Sequence, residues 1–331
     1  MGGCDVGCRL LAGLVSMTLL AACAAGASPT PATFGPVTKV TGTETCPDII
    51  PDWTTDPDGH KHVRGQPADC TDKTDDPRVS GTYTTTWNSD LWGNADQGPF
   101  SLVQWVTARL ENTEGAWEGT GSGVASSDRG DIMVFWYKGT GAYEGLSYFE
   151  LRTGRNEPWK IRGQIFPGDP PPPYAEGTTI TRLQADGPVA DDAVAVVTGT
   201  ARCPGLDFTF TTDPDGTKHV RDDYHAKGCT LTTDDPRVTG VRSSTWNMDV
   251  WGNVNAGRWG LVQWGTPRLE NEGGAWEGRA TGVASSSHGD IIVNWYKGTG
   301  DHAGLGYFEL WTGSGPWKIQ GQIFPGDPPM P

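Results

Sequence analysis

The chain has 331 residues, of which 40 are acidic and 25 are basic, so its formal net charge at pH 7 is -15. This balance argues against nucleic acid as a partner, because binding to a phosphate backbone needs Lys and Arg to replace counterions. The 47 glycines and 25 prolines are spread along the chain, and no segment after the first 23 residues keeps a long helical apolar period.

The first 23 residues are typical of an export signal. Arg9 precedes a largely apolar run at residues 10–22, which is too short to span a bilayer as a mature helix. The run ends in Leu-Ala-Ala-Cys at residues 20–23, which resembles the lipobox of bacterial lipoproteins. The resemblance implies cleavage before Cys23, a lipid on its thiol and attachment to the membrane of a bacterial cell envelope. An ordinary secretory signal is the alternative, and both predict an extracytoplasmic protein.

The rest of the chain is a tandem repeat. WYKGTG occurs at residues 136–141 and 295–300, and IFPGDPP occurs at 165–171 and 323–329. Each copy is long enough to bury a core of its own. We therefore expect a signal peptide at 1–22, a flexible tether at 23–38, a first domain at 39–170, a Pro-rich linker at 171–194 and a second domain at 195–329.

Four of the seven cysteines follow Cys23, and each repeat contains two of them. Four cysteines allow three pairings. Because each copy should fold by itself, the repeat favours the disulfides Cys46–Cys70 and Cys203–Cys229. A shared metal site is the alternative, but no C-x-x-C spacing supports it. We expect neither a metal nor another cofactor.

Short runs of β-branched and aromatic residues alternate with turn signals, which indicates β-strands. About eight such strands for each repeat, without helices, predict an all-β fold of two tandem antiparallel β-barrel domains. An eight-stranded barrel is just wide enough for one small ligand. In the first repeat the runs lie at residues 53–55, 60–64, 82–87, 100–110, 116–124, 132–138, 146–152 and 159–166.

The hairpin at residues 136–151 reads WYKGTG, one residue, then YEGLSYFEL. A strand that ends in GTG, followed by an aromatic residue, a glycine and a second strand, is similar to the allene oxide cyclase and dirigent-type β-barrels. It is also similar to small bacterial barrel domains of unknown function. The hairpin recurs at 295–310, where Asp-His-Ala replaces Ala-Tyr-Glu. The resemblance implies an eight-stranded barrel with a lumen and does not imply a particular reaction.

The two copies also suggest which strand faces point inward. Successive side chains of a strand face opposite sides, and we expect positions that differ between the copies, such as Phe135 and Asn294, to face solvent. The predicted inner face is then aromatic with a few charged groups. Its members are Trp105, Arg109, Trp117, Trp136, Lys138, Tyr148 and Glu150, with Trp264, Arg268, Trp276, Trp295, Lys297, Tyr307 and Glu309 in the second repeat.

An aromatic wall with a few polar groups is typical of a small-molecule pocket, although the same rings could fill a solid core. The leading hypothesis is non-catalytic binding of a small apolar or aromatic molecule, or of a glycan, by a monomeric, membrane-anchored protein. A glycan could stack on Trp87 and Trp92, which recur as Trp246 and Trp251. The alternatives are a cyclase- or isomerase-like enzyme that uses Arg109 and Glu150, and a cell-surface structural or interaction module.

Overall fold

Each repeat folds into its own antiparallel β-barrel, which confirms the predicted fold class. The computed structural model describes residues 37–47, 49–57, 60–93, 98–155, 157–172, 181–182, 194–205, 207–214, 216–253, 258–286 and 289–330. The predicted signal peptide, most of the tether and most of the linker lie outside these residues.

The first barrel is formed by strands that follow one another in sequence. They are β1 (Thr38–Thr45), β2 (Thr54–Thr55), β3 (Lys61–Thr74), β4 (Gly81–Gly93), β5 (Phe100–Glu111), β6 (Gly115–Ser126), β7 (Gly130–Gly141), β8 (Leu146–Gly154) and β9 (Trp159–Pro167). From β3 to β9 each strand pairs with the next, and β1 pairs with both β9 and β3. These eight strands therefore close on themselves, and the short β2 adds to β3.

The second barrel repeats this topology. After β10 (Thr181–Arg182) come β11 (Ala195–Arg202), β12 (Thr211–Thr212), β13 (Lys218–Thr233), β14 (Gly240–Asn253), β15 (Arg258–Asn271), β16 (Gly274–Ser285), β17 (Gly289–Gly300), β18 (Leu305–Gly313), β19 (Trp317–Pro325) and β20 (Pro329–Met330). Here β11 closes the barrel by pairing with β19 and β13, while β10 pairs with β20. Closure leaves few unpaired strand edges.

Both predicted disulfides are confirmed. Cys46–Cys70 and Cys203–Cys229 link residues 24 and 26 positions apart in sequence. Each bridge joins the end of the first strand of the barrel, β1 or β11, to the strand with which it pairs at the closure, β3 or β13. In a loop-entropy description, a bridge over a loop of this length contributes about 3 kcal/mol to stability.

Large aromatic side chains pack inside each barrel. In the first barrel Trp117 stacks on Tyr143 with ring centroids 5.1 Å apart. In the second barrel Trp276 stacks in the same way on His302, at 4.9 Å. The tyrosine hydroxyl donates to Asn112 Oδ1 at 2.7 Å, and a histidine ring nitrogen lies 2.9 Å from the equivalent Oδ1 of the second repeat. The two copies therefore keep the same contacts with different residues.

A third apolar cluster lies between the barrels, and we call it the inter-barrel cluster. It is formed by outward-facing side chains of both repeats, including Val134, Trp136, Phe149, Leu151 and Phe166 from the first and Val293, Trp295, Phe308, Leu310 and Phe324 from the second. The barrels are therefore not joined by the linker alone.

Reciprocal contacts extend the inter-barrel cluster. Trp92 of the first barrel packs on Phe324 of the second with ring centroids 6.3 Å apart, and Phe166 of the first packs on Trp251 of the second at 6.0 Å. Hydrogen bonds also cross between the repeats: Gln322 Nε2 donates to a carbonyl of β5 at 3.2 Å. An arginine of the first barrel, Arg129, donates to a carbonyl of β11 at 2.6 Å.

The inter-barrel cluster should contribute strongly to stability. Trp295 is 2% exposed within it, so Trp295→Ala should lower the free energy of unfolding by about 3–5 kcal/mol. Urea denaturation followed by circular dichroism measures the change. Tyr224→Ala is the matched control, because Tyr224 is 63% exposed and its truncation should change stability by less than about 0.5 kcal/mol. Equal effects of the two substitutions would contradict the packing described here.

Candidate functional site

The structure divides the predicted inner face between the two sides of each barrel wall. Trp117 and Tyr148 belong to the cluster inside the first barrel, and Glu150 is buried beside them. Their equivalents Trp276, Tyr307 and Glu309 lie inside the second barrel. The remaining predicted residues face outward, so the expectation of one shared inner face is wrong. These are Trp105, Arg109, Trp136 and Lys138, with Trp264, Arg268, Trp295 and Lys297.

The error comes from the assumption that divergent positions face solvent. In β7 the side chains of Met133, Phe135 and Tyr137 lie in the first lumen, while Val134 and Trp136 lie in the inter-barrel cluster. Phe135 is 2% exposed and its counterpart Asn294 is 0% exposed. The outward face of this strand is alike in both copies because it is buried against the other barrel. The lumen is where the copies differ.

Arg109 and Glu150 do not form one site. The Arg109 side chain is 42% exposed on the outer surface, where its Nε donates to Glu111 at 2.9 Å and its Nη1 contacts Glu118. Arg268 makes the equivalent pairs with Glu270 and Glu277. The constellation that we predicted for a cyclase- or isomerase-like enzyme is therefore not assembled.

The lumen of the first barrel contains a cavity of about 890 Å³. It reaches the surface, because the exposed residues Pro47 and Ser127 are among those that line it. Aromatic rings dominate its wall, and the disulfide and several polar groups complete it. The principal lining residues are Trp53, Tyr83, Trp87, Phe100, Phe135 and Trp159, with Glu44, Gln104, Asp131 and Arg152.

A hydrogen-bonded chain crosses the wall of this cavity. Trp87 Nε1 donates to Gln104 Oε1 at 2.9 Å, and Gln104 Nε2 donates to Asp131 Oδ1 at 3.0 Å. Burial raises the pKa of Asp131 to about 6, although the hydrogen bond from Gln104 opposes this shift. These polar groups can orient a ligand that is otherwise held by the rings.

A buried charge cluster forms the floor of the first cavity. The guanidinium of Arg152 contacts three carboxyl groups: Asp72 at 3.0 Å, and Glu44 and Glu150 at closer range. The same guanidinium lies over the ring of Tyr83, with its carbon 3.9 Å from the ring centroid. Carboxyl groups therefore contact the nitrogens of the Arg152 guanidinium, and an aromatic ring covers one of its faces.

Two of these carboxyl groups hold their protons unusually tightly. Burial raises the pKa of Asp72 to about 8. Burial, and then repulsion by Asp72, raise the pKa of Glu150 well above its ordinary range. The guanidinium of Arg152 lies among these acids and reduces the repulsion between them.

The three carboxyl groups of this cluster do not fit a metal site. One oxygen from each of Glu44, Asp72 and Glu150 lies within 4.8 Å of the others, which is close enough to ligate a cation. The guanidinium of Arg152 already contacts all three. It supplies the positive charge that a metal ion would otherwise provide.

The second barrel has a smaller cavity, of about 300 Å³. Its floor also carries a buried arginine, Arg242, which is 0% exposed. This guanidinium lies between two rings, with its carbon 4.9 Å from the centroid of Trp246 and 4.5 Å from that of Trp311. Its Nη2 donates to Asn294 Oδ1 at 2.9 Å, while its Nε and Nη1 have no hydrogen-bond partner.

Comparison of the strand registers shows that the two copies exchange an arginine and an aromatic ring. Tyr83 and Arg242 each face the second cysteine of their disulfide across the sheet. Arg152 and Trp311 likewise occupy equivalent positions in β8 and β18. The guanidinium therefore moves from β8 in the first lumen to β14 in the second. These paired differences were the signal in the sequence that could have located the cavities.

Comparisons with protein-family models, with curated proteins and with solved structures find no match. Within the described part of the chain, no helix has both the length and the apolar character needed to cross a membrane. Any functional assignment must therefore be argued from the two lumens and from the sequence.

Glu309 should make the second barrel less stable as the pH rises. Burial raises its pKa from 4.5 to about 7, so the folded protein retains a proton that the unfolded chain releases. The associated stabilisation is complete below pH 4.5 and is lost as the pH rises through 7. Glu309→Gln should therefore match the wild type near pH 4.5 and exceed its stability by roughly 3 kcal/mol at pH 8.

Urea denaturation of both proteins at the two pH values measures this difference. Glu270→Gln serves as the control, because Glu270 is exposed on the outer surface of the same barrel, and it should give no comparable gain. A Glu309→Gln variant that is no more stable than the wild type at pH 8 would refute the expected pH dependence.

Proposed function

We propose that this protein binds a small, largely apolar or aromatic molecule in the lumen of its first barrel and does not transform it. The observation that carries the proposal is the cavity of about 890 Å³ with its aromatic wall. Ligand pockets in proteins measure about 300–1,000 Å³ and combine apolar walls with a few polar groups. The chain from Trp87 through Gln104 to Asp131 provides such groups.

A small molecule is a better candidate than a glycan, which was expected to stack on a tryptophan pair. Trp87 lines the first cavity. Trp92, in contrast, is 8% exposed and packs in the inter-barrel cluster. The two rings therefore do not form one platform for a sugar. A binding role is also favoured over turnover because Arg109 and Glu150 lie on opposite sides of the barrel wall.

The location that we propose is the outer side of a bacterial membrane, with the protein attached through a lipid on Cys23. The tetrad at residues 20–23 supports this proposal through its resemblance to a lipobox. The two disulfides are consistent with it, because such bridges persist in oxidising compartments outside the cytoplasm.

Blocking the first lumen should abolish ligand binding. Thr85 is half-buried and lines the cavity, so Thr85→Trp should project an indole into the lumen and obstruct it. Thr84, the next residue of β4, is exposed, and Thr84→Trp is the matched control. In native mass spectrometry of protein purified from its host, a bound small molecule should accompany the wild type and the control but not Thr85→Trp.

A neutral hydrophobic dye, Nile red, provides a second measure of the same site. Its fluorescence should rise with the wild type and the control, and should rise much less with Thr85→Trp. Equal dye binding and equal bound mass in all three proteins would reject the lumen as the site. Retention of the wild type on a polysaccharide, without any bound small molecule, would favour the glycan instead.

Cys23→Ser should release the protein from the membrane. The substitution removes the thiol that carries the lipid, and covalent acyl chains supply the anchoring energy. Fractionation of the host cells should then find the variant outside the membrane fraction, with an intact mass that lacks acyl chains. A wild-type protein whose mass includes no lipid would contradict the proposed anchor.

A further inference from the structure

We propose that the cavity of the second barrel binds a small organic anion, namely a carboxylate on an aromatic or otherwise apolar body, with Arg242 as its counter-charge. This inference goes beyond the proposed function, which concerns the first barrel, and it does not depend on a ligand there.

The first support is the unsatisfied state of Arg242. Its side chain is completely buried and lines the cavity. Its Nη2 donates a hydrogen bond to Asn294 Oδ1 at 2.9 Å, and the guanidinium also interacts with the Tyr296 hydroxyl. Its Nε and Nη1 have no hydrogen-bond partner among the described residues. Its link to a carboxyl group is indirect: Asn294 donates to Glu309 Oε1 at 3.2 Å, and the charge of Arg242 acts to lower the pKa of Glu309. A buried guanidinium with unused donors is costly, and hydrogen bonds from a guanidinium to a carboxylate are among the strongest in proteins.

The second support is the difference between the two lumens. Arg152 of the first barrel contacts three carboxyl groups. According to the strand registers, Ala201 and Leu231 stand in the second barrel where Glu44 and Asp72 stand in the first. The second lumen has therefore kept a guanidinium and lost two of the acids that would balance it.

The acids that remain near the second cavity have other partners. Glu309 accepts hydrogen bonds from the Tyr307 hydroxyl at 2.9 Å and from the Trp311 indole. Asp290, which lines the cavity, accepts from Trp317 Nε1 at 2.7 Å and from Gln263 Nε2 at 3.3 Å. Burial raises the pKa of both acids, and the hydrogen bonds that they accept oppose this shift.

The shape of the cavity defines the rest of the ligand. Its volume of about 300 Å³ lies at the lower end of the range for ligand pockets, which suits a body of one or two rings. Its wall is apolar apart from Arg242, Gln263 and Asp290, and Phe210, which is 45% exposed, belongs to its outer part. The apolar members of the lining are Phe208, Trp246, Met248, Val250, Trp259, Leu261, Ile292, Trp311 and Trp317.

The test compares 2-naphthoate with its neutral analogue 2-naphthamide by isothermal titration calorimetry of the full chain. The wild type should bind the carboxylate at least ten-fold more tightly than the amide. Arg242→Met should weaken binding of the carboxylate at least ten-fold and leave that of the amide unchanged, while Arg242→Lys should give an intermediate affinity. The control Arg268→Met removes an exposed arginine of the same barrel and should bind like the wild type.

Additional variants make the result of this titration decisive. Thr85→Trp, which blocks the first lumen, should bind 2-naphthoate like the wild type, so that a failure of the first-barrel proposal is recognised separately. If Arg242→Met does not fold, Arg242→Lys and the comparison of the two ligands on the wild type decide. Equal binding of the two ligands, no binding of either, or wild-type affinity in Arg242→Met would overturn the inference.

Discussion

Closure of each sheet by its first strand is the constraint on which the rest of the structure depends. Because β1 pairs with both β9 and β3, and β11 with both β19 and β13, every strand of the two closed sheets has one face toward a lumen and one face away from it. The disulfide of each repeat lies beside this closing pair. Inward and outward side chains then alternate along these strands, apart from the register shifts in β3 and β13. The inward face packs in the lumen, and the outward face contacts solvent or the other barrel.

The sequence predicted what depends on composition and spacing. Short aromatic and β-branched runs gave the all-β fold, and the repeat selected the correct disulfides from three pairings. Which face of each strand points inward was harder to predict, because the rule of alternation identifies two faces without saying which is inside. In β7 both faces are apolar: Phe135 is buried in the lumen and Trp136 against the other barrel. Only the packing of the two barrels, which no local pattern encodes, could decide between them.

The arginines of the lumens were missed for a related reason. Arg152 and Arg242 occupy different strands, so a comparison that looks for conserved charges at equivalent positions finds neither of them. Each lumen nevertheless places one guanidinium against aromatic rings. The contact with aromatic rings is kept because the arginine and the ring have exchanged positions between the two repeats. The surrounding carboxyl groups differ, and so does the electrostatic character of the two floors.

The contacts between the barrels have a consequence for how such a tandem can arise. Trp92 contacts Phe324, and Trp251 contacts Phe166. Equivalent residues of the two copies therefore form the interface on both sides. This reciprocity is the geometry of an isologous dimer, in which one surface is complementary to itself. A chain with a single repeat would expose that apolar patch and would need a second molecule to cover it. The tandem is thus equivalent to a symmetric homodimer whose subunits have been fused into one polypeptide and are free to diverge in their lumens.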